Sequence, residues 1–372
     1  MRRRKSGMGS RVGAPVLRVA VIGTGRISEE HLRFLATDPR TSLVGVCDLS
    51  PSLARYAATR FDAGAAFTDY AEMLTTARPE VVHVLTPPHT HVAILRDCLM
   101  AGAHVIGEKP VAPTLEDFET LWSLSRARGR RLIEDHNYRF NRPILRIEEA
   151  LRAGRLGEVR ELEVRMCLAI REKGGRYADE NLPHPSHRLP AGALHEFLTH
   201  LCYLALRFVP TWDAVHATWS KCGGGSLFAF DDLDALVLSG PTHARLRFSS
   251  TQSPDCFTVT VRGTRGWAEA DLFQHSLSIV EPRRVGQQLS PLANQAIRGV
   301  ALAGAAVAGL WNKVMQVTPY EGLATFLDRT YAALVTGEDP PVGYDDMRGA
   351  AALIDALLQA RGESPRTAAG SA

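Results

Sequence analysis

The 372-residue sequence has no C-x-x-C pair, no internal repeat and no uninterrupted apolar run long enough to cross a bilayer. Its six cysteines, Cys47, Cys98, Cys167, Cys202, Cys222 and Cys256, are scattered. None of their spacings suits a metal site, and most lie in apolar runs where a thiol packs as a small hydrophobe. A reducing, cytoplasmic location is expected. Charge of one sign is also scarce: the formal net charge is +3, and Arg2, Arg3, Arg4 and Lys5 supply much of it. The folded body is therefore nearly neutral, which excludes a broad nucleic-acid footprint. No apolar core follows the basic cluster, as a secretory signal would require, so residues 1–14 read as a disordered tail. The uncharged, Ala-rich stretch 299–312 lies between Arg298 and Lys313 and is shorter than the ~20 residues of a membrane span. A helix, or two, over 290–316 packed against the body or a partner is expected, with membrane-surface contact as the minority alternative.

What is present is a globular composition, 45% hydrophobic and 22% charged, over a length that suits two domains. Up to residue 137, short apolar runs at 16–22, 42–47, 81–85, 104–106 and 131–134 alternate with helical patterns. Continuous apolar strands between helices imply a parallel sheet covered on both faces. Beyond 137 the pattern changes. Residues 161–169 alternate strictly, 191–208 form a long apolar helical pattern, and strand-like stretches follow at 214–219, 233–238, 244–248, 257–261 and 267–270. Helices return at 321–334 and 345–359. The reading is α/β: an N-terminal doubly wound Rossmann domain over 15–137 and a C-terminal α+β domain over 138–365 with an open, mostly antiparallel sheet. The outer face of that sheet lacks an obvious covering helix, which predicts a homodimer or homotetramer.

The run from Val19 to Ser28 places Gly23 and Gly25 between an apolar strand and a helix. Gly23 permits a tight turn and Gly25 close approach of a pyrophosphate, with Thr24, Arg26 and Ile27 completing the loop. Ser28 stands where the third glycine of the usual fingerprint falls. Asp48 closes the second strand at the spacing of a ribose-binding acid, which favours NAD over NADP because its charge repels a 2′-phosphate. The same residue also suits a helix N-cap.

These features, with Thr86-Pro87-Pro88 after the third long strand, Glu108-Lys109-Pro110 after the fourth, Tyr138-Arg139-Phe140 and the 192–200 run, resemble the Gfo/Idh/MocA oxidoreductases. The resemblance implies an NAD(P)-dependent dehydrogenase acting on a secondary alcohol or ketone of a sugar, polyol or sugar nucleotide. It further implies a catalytic Lys109 whose ammonium stabilises an incipient alkoxide, oriented by Glu108, and Thr86, Pro87 and Pro88 against the cofactor. His200 is the candidate proton acceptor. Glu196, four residues earlier on the same helix face, stands where the family usually has Asp and is expected to orient the histidine or a substrate hydroxyl. His184 and His187 are loop residues near the pocket. His89 and His91 find no third and fourth ligand at compatible spacing, so no metal is expected. The rival is a non-catalytic NAD(P)- and sugar-binding regulatory protein of the same fold; the joint presence of Lys109 and His200 favours the enzyme.

Overall fold

The computed structural model describes residues 15–172, 174–224, 226–283, 285–286, 288–314 and 320–363; the expected N-terminal tail lies outside them. The first sheet holds β1 (Leu17–Ile22), β2 (Thr41–Cys47), β3 (Ala66–Phe67), β4 (Val81–Val84), β5 (His104–Gly107) and β6 (Leu132–Glu134). Their order is β3-β2-β1-β4-β5-β6 and every pairing is parallel. Helices α1 (Ser28–Thr37), α2 (Pro51–Arg60), α3 (Tyr70–Ala77), α4 (His91–Met100) and α5 (Leu115–Ala127) connect the strands. Val19, Ala20, Val21, Val81, Val82 and Val84 are fully buried, as strands covered on both faces require. Local signals start the helices: Ser50 caps α2 just before Pro51, Asp69 caps α3 and Thr114 caps α5. The chain's direction of progress across the sheet reverses between β1 and β4, whose carboxyl ends form the crevice where such sheets take ligands.

The second sheet follows α6 (Arg142–Arg152) and comprises β7 (Val159–Cys167), β8 (Ala214–Ser220), β9 (Asp232–Ser239), β10 (Thr242–Ser249), β11 (Cys256–Gly263), β12 (Trp267–Asp271) and β13 (Ser276–Val280). The order is β13-β12-β11-β7-β10-β9-β8, with only β7 and β10 paired in parallel. Leu162, Val164 and Met166 share one core with Val259, Val261, Leu246 and Phe248. That core is closed by α6, by α7 (His195–Phe208) and by α10 (Tyr344–Gln359).

The outer face of this sheet carries Arg245 with Asp234 (2.9 Å), Arg165 with Glu163 (2.8 Å), Arg262 with Glu161 (3.8 Å) and Arg247 with Asp232. Two expectations need correction. First, α9 (Glu321–Thr336) does not join the second core. Its Leu323, Phe326, Leu327 and Tyr331 pack among the strands and helices of the first sheet, because its apolar face meets α1 and the 137–140 turn. Second, α8 (Ser290–Val314) is one helix, but Asn294 is the only residue among 290–311 that is buried. A Cβ built on Gly304 or Gly309 would meet nothing within 4 Å. The helix is therefore anchored near its start and does not pack its Leu and Val side chains on the body; Gln316 lies outside the described residues.

Candidate active site

One cavity of about 1260 Å³ runs from the β1–α1 turn to the start of α7. Its first end is the turn itself. Gly23 has φ +93°, and a Cβ there would lie 2.8 Å from the Leu85 carbonyl carbon and oxygen, so only glycine lets β1 and the β4 loop meet. A Cβ on Gly25 would meet no protein atom; the space beside it is open to a ligand. Thr24, Arg26 and Ile27 also line the cavity. Asp48 accepts from the Thr24 backbone N–H (2.9 Å), the Thr24 hydroxyl (2.7 Å) and the Ser50 N–H (2.9 Å). Ser50, not Asp48, is the N-cap of α2. Asp48 is thus held rigid at the cavity wall.

The middle wall comes from the segments after β4 and β5. Thr86, Pro87 and Pro88 line it, as do Glu108 and Lys109, and the Lys109–Pro110 bond is cis. A buried His91 ties the two segments together. Its Nε2 lies 2.7 Å from the Thr86 carbonyl oxygen and its Nδ1 2.7 Å from that of Pro110. Sequence reasoning considered this histidine only as a metal ligand and missed the clamp, since the pairing spans two loops.

At the far end the Lys109 ammonium donates to the Glu196 carbonyl oxygen at 3.0 Å and lies 3.9 Å from the Glu196 carboxylate. Glu108 bonds the backbone of Lys109 rather than its ammonium. Its carboxylate accepts from the Lys109 backbone N–H (3.2 Å) and lies 3.7 Å from His31 Nε2. His31, Glu108 and Asp135 place ligand-type atoms within 4.8 Å of one another. Asp135 has no hydrogen-bond partner for either oxygen, and burial together with the Glu108 charge pushes its pKa well above the usual range. Behind it, His31 Nδ1 and His83 Nδ1 are 2.9 Å apart, and His83 Nε2 lies 2.8 Å from the Tyr331 hydroxyl. No sequence spacing announces this buried chain, because α9 supplies its last member.

Glu196 and His200 both line the cavity, as their i,i+4 spacing implies. They do not pair with each other. The Glu196 carboxylate accepts from the Ser186 hydroxyl and from Arg176 (3.4 Å), with His184 at 3.9 Å. Burial alone would raise its pKa, but Lys109, Ser186 and Arg176 more than offset this and lower it. His184 lines the cavity, whereas His187 turns to the Tyr177 carbonyl. His200 Nδ1 lies 2.8 Å from the Tyr203 hydroxyl, which donates to Asn137 Oδ1 at 3.3 Å. Burial, then the charges of Lys109 and His136, hold the His200 pKa well below its ordinary value, so the ring is neutral near pH 7. His195 on the same helix is fully buried and faces away from the cavity, with neither ring nitrogen partnered.

The cavity thus offers a glycine turn with free space, a fixed acid, a lysine and a neutral histidine along one channel. Residues 17–136 match the model described as "Oxidoreductase family, NAD-binding Rossmann fold". The chain is 34% identical over 144 residues to a 1-carboxy-3-chloro-3,4-dihydroxycyclo hexa-1,5-diene dehydrogenase of Comamonas testosteroni, covering 39% of this chain and 36% of that one. It is 33% identical over 153 residues to the D-glucoside 3-dehydrogenase of Escherichia coli K12, covering 41% and 44%. These matches span less than half the length of either relative. A levoglucosan dehydrogenase solved with NADH and levoglucosan shares the whole fold, with a TM-score of 0.76, 19% identity and coverage of 93% of this chain and 97% of that one. Residues 17–136 of this chain thus match the NAD-binding Rossmann model of the Gfo/Idh/MocA oxidoreductases.

Proposed function

We propose that the chain is an NAD-dependent oxidoreductase acting on a secondary alcohol, or the matching ketone, of a sugar, polyol or sugar nucleotide. The observation that carries this reading is that Lys109 and His200 line the same cavity as the Gly23–Ile27 turn and Asp48. The turn's open space beside Gly25 fits a pyrophosphate, and the fixed Asp48 carboxylate fits ribose hydroxyls rather than a 2′-phosphate. Thr86, Pro87, Pro88 and Glu108 would line the cofactor's path towards Lys109. When bound, NAD supplies the hydride acceptor.

The protein's own groups then handle the proton and the charge. As the alcohol carbon loses hydride, the hydroxyl must lose a proton and its oxygen gains negative charge. The Lys109 ammonium, fixed by the Glu196 carbonyl, stabilises that oxygen. The Tyr203 hydroxyl gives its one hydrogen to Asn137 and accepts from His200 Nδ1–H, so that Nε2 carries the lone pair that takes the proton. Glu196 stays ionised beside Lys109 and is placed to accept from a neighbouring substrate hydroxyl. In the ketone direction the same groups act in reverse.

The test is cofactor reduction by the purified chain against a panel of polyols, sugars and nucleotide sugars. Turnover with at least one member, lost in Lys109→Ala, is expected. Tight binding of both NAD and a sugar without any turnover would replace the enzyme with a sensor.

A further inference from the structure

The helix α8 is amphipathic in the reverse of the usual sense. Successive residues turn by about 100°, which sets Leu292, Ile297, Val300, Val307, Leu310 and Trp311 within one stripe. All six are exposed, with Val300, Val307, Leu310 and Trp311 at 75%, 70%, 67% and 63%. The opposite side meets the body near the start of the helix, while Leu302 further along that side is also exposed. Asn294 accepts from Arg283 Nε at 2.8 Å and donates to the Glu281 carbonyl at 2.9 Å, and the Arg298 guanidinium lies 4.8 Å from the centre of the Trp267 ring. A surface helix normally buries its large apolar side chains and gives polar ones to water; this one presents them outward.

Charge and length narrow the occupant. No acidic residue occurs from 282 to 320, while Arg283, Arg284, Arg298 and, at the far end of the helix, Lys313 are all basic. The exposed Val285 and Leu289 extend the apolar surface ahead of the helix. No helix among the described residues is long and apolar enough to cross a membrane. An outward apolar stripe in a segment whose only charges are basic, with a tryptophan near its end, is the pattern of a helix lying in a lipid interface. A second copy of the same helix would set basic segments against each other with no acid between them.

We propose that the outward face of α8 docks on an anionic lipid surface, lying in the interface without spanning it. This does not depend on the proposed reaction, and its test does not use activity. The full chain is floated with phosphatidylcholine vesicles, with and without phosphatidylglycerol, at low and high salt. The wild type is expected to float with the anionic vesicles, less so at high salt, and to show a blue-shifted emission that Trp311→Phe abolishes. The double variant Val307→Glu with Leu310→Glu alters only exposed positions, so its melting temperature and NAD binding should match the wild type. Its vesicle partition should fall by on the order of tenfold or more, because charges replace the apolar contact. Failure of the wild type to float, or equal flotation of the variant, overturns the proposal. So does a wild-type dimer in light scattering that the double variant dissolves while neither protein binds vesicles, which would make the occupant a second copy.

Discussion

The Lys109 ammonium donates to the backbone carbonyl of Glu196 across 87 positions of sequence. One hydrogen bond therefore joins the loop that follows β5 to the first turn of α7. Lys109→Ala should lower kcat by about 10²–10³, the scale of losing one donor to a developing oxyanion. NAD affinity should hardly move, since the turn and Asp48 lie at the other end of the cavity. Steady-state kinetics beside calorimetric NAD titration checks both halves; near-normal turnover would remove Lys109 from the mechanism.

Gly23 and Gly25 should separate folding from binding. Gly23→Ala drives a Cβ to 2.8 Å from the Leu85 backbone at a φ of +93°, so the variant should melt lower and bind NAD poorly. Gly25→Ala meets no protein atom and should keep the wild-type melting temperature. It should nevertheless weaken NAD by about tenfold or more, because the methyl occupies the space that the close backbone approach keeps open. Unchanged NAD affinity in a folded Gly25→Ala variant would move the pyrophosphate elsewhere.

Asp48 is fixed by three donors, so it cannot swing away from a 2′-phosphate. The wild type should prefer NAD to NADP. Asp48→Ser should narrow that preference mainly by improving NADP, as judged by fluorescence titration of each cofactor. Tighter NADP binding by the wild type would contradict the assignment.

Buried titratable groups give the fold a pH signature. His83 and His200 have pKa values well below the ordinary 6.5, and burial takes His195 to about 4. As pH falls below about 6.5 the unfolded chain binds protons at these positions and the native one does not, so stability drops towards pH 4. Asp135 acts in the opposite direction. Its native pKa is raised above 3.8, so the stability it allows is present below that value and is lost as pH rises through the native pKa. Asp135→Asn should thus raise the melting temperature near pH 7, with the gain vanishing below about pH 3.8. A lower melting temperature near neutrality would mean that Asp135 is ionised and partnered.

Features written in local sequence could be read before the fold was known. The β1–α1 turn follows from two glycines between an apolar strand and a helix, and the Glu108-Lys109-Pro110 element marks a strand end without help from distant residues. Period-two alternation gave six strands of the second sheet, β7 to β12, each within two residues of its observed ends. It missed β13, whose Ser276–Val280 segment is only half-buried at the sheet edge. What local pattern cannot encode is partnership. Glu196 and His200 share a helix face, yet Ser186, which donates to Glu196, and Asn137, which accepts from the Tyr203 hydroxyl beside His200, depend on where a loop and a turn come to rest. The direction in which α8 aims its apolar stripe depends likewise on Asn294 and Arg298 finding the sheet edge.

The docking of α9 on the first sheet also bears on how the chain is made. Leu323, Phe326, Leu327 and Tyr331 fill a core whose strands all lie before residue 135. A ribosome has synthesised the whole nucleotide-binding sheet, and the whole of the second, before that core can close. Until then His83 has no hydroxyl to meet, and the apolar bed beneath α9 stays open to water. The N-terminal third is thus a nascent intermediate that waits for its own far end, and a fragment cut near residue 137 should inherit that intermediate's tendency to aggregate.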